Sequence, residues 1–226
     1  MRASLTALLA FTCAAAAVGQ DATTARERAA IDAVRQLGGK TDVDARLAPE
    51  ARVVAKFENA TDATLAGLKA IPQLGAVEIF DTTKCKDKSF ATLKSLPHLR
   101  RLVVEKADLT PAAVTAVGEC RELRHLALVN CGLSDAEVAG LKPLARLEHL
   151  ALSDNPRVTD KAIAVVKGFD RLQVLYLSKT TITDRGLAEL KVLDGLRTLS
   201  VRGTKVTLDA AEKFPDDMPN LRKVQW

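Results

Sequence analysis

A chain of 226 residues with 47% apolar and 27% charged side chains has the composition of a globular protein and excludes a disordered one. Aromatic residues make up only 4%, so the core must be aliphatic and built largely from small side chains, which suits thin repeated layers better than one thick centre. The net charge of +5 is spread along the chain, without the clustered basic stripe and interleaved aromatics that nucleic-acid binding needs.

Residues 1–19, MRASLTALLAFTCAAAAVG, carry one positive charge at Arg2, an apolar stretch from Leu5 to Val18 and a small-residue end at Ala17, Val18 and Gly19. This is the pattern of a secretory signal, and it is too short for a comfortable membrane span. Cleavage before Gln20 removes Arg2 and Cys13 and leaves 32 basic against 28 acidic side chains, a net charge of +4. Lipid attachment at Cys13 is the rival reading. It is disfavoured by Phe11 and Thr12, which stand where bacterial lipoprotein signals carry small residues. No other apolar run is long enough for a bilayer, so the expected location is secreted or periplasmic, with no membrane span.

In the segment 20–50, TTARERAAIDAVRQLGGK reads as one helix. Thr24 and Glu27 form a capping box, Ile31, Val34 and Leu37 a buried stripe, and Gly38-Gly39 the stop. A short strand near Val43 follows. Because a stack of layers exposes the apolar side of its first layer unless something covers it, this segment is expected to be an N-terminal cap.

From residue 51 to 226 the chain repeats. LGAVEI, LRRLVV, LRHLAL, LEHLAL, LQVLYL, LRTLSV and LRKVQW begin at Leu74, Leu99, Leu123, Leu147, Leu172, Leu196 and Leu221, at spacings of 24 or 25 residues. An apolar-x-apolar triplet is the period of a strand with one buried face, and apolar spacing of three to four, as in Leu187, Leu190, Leu193 and Leu196, is a helix stripe. Each unit therefore reads strand, turn, helix. The helix starts carry their own signals: Ser134 with Glu137 as a capping box, Thr110 ahead of Pro111, and Thr159 and Thr183 each ahead of an Asp in the electropositive first turn.

LRHLALVNC from Leu123 and LEHLALSDN from Leu147 meet the pattern L-x-x-L-x-L-x-x-N/C, and the chain resembles the leucine-rich repeat family. It is most similar to the cysteine-containing and ribonuclease-inhibitor-like subtypes and to secreted bacterial versions with Thr at the ladder position, as at Thr82, Thr180 and Thr204. The resemblance implies an α/β solenoid of about seven repeats, with parallel strands on the concave face and helices on the convex face. Ala107 and Glu58 replace the ladder residue in two units, so a hydrogen-bonding ladder should be interrupted there.

Cys120 and Cys131 take inward positions occupied elsewhere by Leu144, Phe169 or Asn155, and Cys85 takes the position of Leu109 and Leu133. All three are expected to be buried free thiols acting as small apolar fillers. Cys120 and Cys131 flank an extended strand and Cys85 lies about two layers away, which disfavours a disulfide, and no C-x-x-C zinc spacing is present.

Residues interleaved between inward leucines should point out of the concave face in rows. One row is Ala76, Arg101, His125, His149, Val174, Thr198 and Lys223; the next is Glu78, Val103, Ala127, Ala151, Tyr176, Ser200 and Gln225; a third is Phe80, Glu105, Val129, Ser153, Ser178 and Arg202. His125 and His149, beside Arg100, Arg101 and Arg124, with Tyr176 at the edge of a low apolar floor, form the candidate binding site. The competing readings are two solvated imidazoles, or a zinc site that lacks a third ligand. Paired histidines among arginines should resist protonation.

No nucleophile elbow, H-E-x-x-H, phosphate loop or paired-carboxylate cleft appears, so neither catalysis nor a cofactor is expected. The resemblance implies a non-catalytic protein-binding scaffold. The same resemblance implies a protein partner ahead of a polysaccharide, and nine basic against five acidic side chains counted on the concave surface favour an acidic one. The alternative is a structural or assembly module of the cell envelope that associates, as a homodimer for example, through the last strand and Trp226. Arg222 and Lys223 on that edge would oppose such pairing. An intracellular adaptor role does not agree with the signal segment.

Overall fold

The computed structural model describes residues 25–82, 85 and 87–226; the expected signal at 1–19, with Cys13, and Thr24 lie outside them. Nine strands form a single sheet in strict chain order: β1 (Lys40–Val43), β2 (Val53–Phe57), β3 (Leu74–Phe80), β4 (Arg101–Glu105), β5 (His125–Val129), β6 (His149–Ala151), β7 (Val174–Tyr176), β8 (Thr198–Ser200) and β9 (Lys223–Gln225). From β2 to β9 every neighbouring pair is parallel, and each strand pairs with the one 21 to 25 residues further on. Between consecutive strands the chain returns through a short α-helix or 3-10 turn. The molecule is an α/β solenoid of leucine-rich repeats.

The alternation of side chains explains why the layers stack. Leu102, Leu126, Leu150, Leu175 and Leu199 pair in register on the inward side of successive strands, and each is at most 2% exposed. Burying a leucine stabilises by about 2 kcal/mol, but only if the next layer arrives, so stability here is a property of neighbours rather than of any one repeat. The helices contribute Val114, Val138, Ile163 and Leu187 to the same core.

Two polar ladders tie the layers together. Inside the core, Asn155 is fully buried; its amide donates to the carbonyls of Leu128, Leu152 and Ser153, and its oxygen accepts from the backbone N–H groups of Cys131 and Leu133. Thr180 and Thr204 hydroxyls donate to the carbonyls of Leu177 and Val201 at 2.7 Å, a more local contact. Nearer the surface, the N-cap threonines of three successive helices are also cross-layer donors. Thr159, Thr183 and Thr207 each give both the backbone N–H and the hydroxyl to Asp135, Asp160 and Asp184 of the preceding unit, at 2.5–2.9 Å. At Thr159-Asp160 and Thr183-Asp184 the dipeptide that marks a helix start thus also ties it to the helices on both sides.

The remaining caps agree with the sequence reading. Ser134 and Glu137 close a capping box, and Thr110 caps the helix that opens on Pro111. A regularity with no sequence forecast is that the residue leaving the concave face is left-handed in five successive units: Asp81, Lys106, Asn130, Asp154 and Lys179 have φ between 52° and 65°. Gly203 continues the series at 66°, without the steric cost that the five side chains bear.

The α1 helix (Ala25–Gln36) packs on the β1–β2 end, with Ala30 and Val34 in the common core and Ile31 and Leu37 partly buried against it. The capping box expected of Thr24 and Glu27 lies partly outside the described residues; the Glu27 carboxylate is buried and receives the Arg52 guanidinium at 2.9 Å, a tertiary ion pair. The strand near Val43 exists as β1, and it runs antiparallel to β2.

Candidate functional site

The outward rows form as the repeat spacing requires. Ala76, Arg101, His125, His149, Val174, Thr198 and Lys223 are register partners across β3 to β9, and so are Glu78, Val103, Ala127, Ala151, Tyr176, Ser200 and Gln225. The third row pairs only from Phe80 through Glu105 to Val129, because β6 to β8 are shorter. Ser153 and Ser178, expected to face outward there, are buried, and Ser178 shares a 2.9 Å hydrogen bond with Ser200. A small hydroxyl lets the inner surface close over itself.

His125 and His149 stack, with ring centroids 4.1 Å apart and planes inclined by 29°. Burial holds both imidazoles below their ordinary range, His125 down to about 4; the neighbouring His149, Arg101, Arg46 and Arg124 lower His125 further, while Glu148 opposes the shift at His149. Both rings are therefore neutral at pH 7. Beside them, Ala127, Val129 and Ala151 form a cluster separate from the main core, with Val103 and Tyr176 packed on its edges. Burial raises the Tyr176 phenol, which stays protonated at neutral pH.

The arginines behave differently from a free basic patch. Arg101 lies between Asp44 and Glu78, with guanidinium nitrogens 3.2 Å from each carboxylate, and its side chain is only 20% exposed. Asp44 also accepts from Arg46, chiefly through side-chain hydrogen bonds that hold its carboxyl below the usual range against the opposing effect of burial. Glu78 is shared with Lys56 at 3.5 Å. Arg100 reaches Glu122 at 3.3 Å and Arg124 reaches Glu148 at 3.2 Å. Asp44 comes from the loop after β1, so Arg101 fastens that loop to the concave face.

Three residues of this centre escaped sequence reasoning: Asp44, Glu122 and Glu148 as charge partners. The signal for the last was present, since Glu148 stands one repeat after Arg124. Glu105, whose carboxyl is raised mainly by burial and further by Glu78 and Asp154 against Lys106, completes the cluster. Among the described residues no group of three or more His, Cys, Asp or Glu side chains is placed to hold a metal ion, and no helix is long and apolar enough to cross a membrane. Cys120 and Cys131 are buried free thiols pushed up to about 12 by burial. Cys85 departs from the expectation: it is free but only half-buried, and burial with Asp62 nearby raises its thiol to about 11.

No family model matches the chain, and no curated protein matches it. Among solved structures, an internalin (inlF) from Listeria monocytogenes is similar over 75% of this chain, at 15% sequence identity and a TM-score of 0.50. The chain spans 58% of that protein's length. At this identity the likeness is one of fold, and it agrees with the solenoid described above.

Proposed function

We propose that the chain is a non-catalytic scaffold that binds a protein partner on its concave strand face, outside the cytoplasm. The observation that carries this reading is the second apolar cluster of Ala127, Val129 and Ala151, edged by Val103 and Tyr176 and lying outside the main core. Stacked neutral histidines border it, and a shallow aromatic-edged floor rimmed by polar groups is what a protein hot spot requires. In this reading His125, His149, Tyr176, Arg100 and Arg124 make the contact, while Arg101 positions the surface through Asp44 and Glu78. A secreted or periplasmic location rests on the pattern of residues 1–19, and the helices of the convex face support the ribonuclease-inhibitor-like subtype.

A photo-crosslinking residue placed at Val103 or Thr198 is expected to form one dominant protein adduct in the source cell. The same residue at the helix positions Ala136 or Ala164 should form none. Equal labelling from both faces, or from the helices alone, would contradict the reading. A second reading, assembly through β9, draws on Trp226 being 48% exposed beside that strand. It requires a concentration-dependent dimer in sedimentation that Trp226→Ala abolishes.

A further inference from the structure

The cations of the concave face fall into two sets. In the β2–β6 part, Lys56, Arg100, Arg101 and Arg124 are each held by a carboxylate within 3.7 Å, and further along Lys179 is held by Asp154 at 2.7 Å; Lys106, exposed at the end of β4, is the one exception among these described cations. Around β8 and β9, Arg197, Arg202, Arg222 and Lys223 are all exposed and make no ion pair with any described residue. From Gln173 onward the outward strand positions carry no acid at all. Asp194, the acid nearest to Arg197 in the sequence, makes no ion pair with it.

The four side chains are arranged by the sheet. Arg222 and Lys223 both donate their backbone N–H to the Arg197 carbonyl, so the three bases share one edge of the strands, about 4.8 Å apart. Arg202 leaves the opposite end of β8, ~16 Å along the strand from Arg197 at ~3.3 Å per residue. Between the two edges lie the uncharged Thr198 and Gln225, with Ser200 fully buried beneath them, and the strip continues sideways into Tyr176. Unpaired cations at both borders of a neutral strip match an extended chain with carboxylates about five residues apart and small polar or apolar residues between. A densely sulfated or uronic polysaccharide would need a continuous cationic row, which the ion pairs of β3 to β6 interrupt.

Resting on the protein-binding reading, we propose that the partner presents an extended acidic segment, and that Arg197, Arg202, Arg222 and Lys223 receive its carboxylates at the β8–β9 end of the concave face. The His125–His149 centre then contacts the uncharged continuation of the same segment.

The test is fluorescence anisotropy of a labelled peptide, two glutamates flanking a Thr-Val stretch of about four residues, titrated with the full chain. Binding is expected to weaken steeply with salt and to fall at least tenfold, roughly, in an Arg197→Glu, Arg222→Glu, Lys223→Glu variant. The convex control Lys142→Glu should leave it unchanged. A peptide with lysines in place of the glutamates should bind the triple variant and not the parent chain, which also shows that the variant is folded. Binding that ignores the triple reversal, failure of the acidic peptide to bind, or capture of a sulfated oligosaccharide in its place would each overturn the inference. Those outcomes leave the concave-face adducts from Val103 untouched, so the two readings fail separately.

Discussion

The two halves of the concave face solve the same packing problem with different chemistry. In the β1–β4 half, charges face one another across the strands: Asp44, Arg46, Glu78, Lys56 and Arg101 form one network of ion pairs at 2.8–3.5 Å. In the β6–β9 half, the surface closes through neutral groups, with Ser178 on Ser200 and Tyr176 on Ala151; Lys179 is held by Asp154, while Arg197, Arg202, Arg222 and Lys223 are exposed and make no ion pair with a described residue. The first half is occupied with holding itself and the β1 loop together. The second keeps four of its cations free of described acids, the difference on which the proposed acidic-segment contact rests.

The largest effect should come from the neutral side. Asn155→Leu strips cross-layer partners from the Cys131 and Leu133 N–H groups and the Leu128 carbonyl, and should cost about 3 kcal/mol in urea unfolding. This loss should be the same in low and high salt. A marked salt dependence would mean that the two halves are not energetically distinct.

On the ionic side, Arg101→Met leaves Asp44 and Glu78 partly buried, with only Arg46 and Lys56 to answer them. A loss of about 2 kcal/mol is expected, with hydrogen exchange accelerating first in β1 and β2 while β7 to β9 keep their protection. Uniform acceleration along the solenoid would show instead that the halves unfold as one unit.

The pH dependence separates them further. Below about pH 6.5 the unfolded chain takes up a proton that folded His125 refuses until about pH 4, so the stability contributed by neutral His125 should fall as pH drops through this window and level off below it. Asp44 acts lower: its folded pKa lies below the ordinary 3.8, so its stabilisation is lost only as pH falls past that value. Glu105 has the opposite sign, because its raised pKa favours the folded chain as pH falls toward and below its raised value. His125→Gln should flatten the stability profile between pH 6.5 and 4, as followed by thermal melts across that range. The smallest effect belongs to Arg124→Gln, whose pair with Glu148 is about half solvent-exposed on the arginine side. It should change stability by no more than about 0.5 kcal/mol, while weakening partner binding if Arg124 makes the contact proposed for it.

Much of the candidate site follows from spacing alone. His125 and His149 stand 24 residues apart, one repeat, so the repeat period by itself makes them neighbours in the sheet, as it does the floor of Ala127 and Ala151 and the edge at Tyr176. The neutralisation of Arg101 has no such signal. Its partner Asp44 lies 57 residues away, after an antiparallel strand that obeys none of the repeat arithmetic. Ser153 and Ser178 turn inward against the alternation for a related reason: alternation holds only while the chain stays extended, and β6 and β7 end before those residues.

The amino-acid sequence by itself determined the layer spacing, the inward leucines and the helix starts, because each is a local preference repeated at a fixed interval and neighbouring copies reinforce one another. Tertiary structure alone decided which charges are consumed and which remain. Ion pairing depends on which side chains meet across the sheet, and that includes residues of the β1 loop brought there by a turn outside the repeat. Asp44 closes over Arg101, whereas among the described residues no acid pairs with Arg197, Arg222 or Lys223.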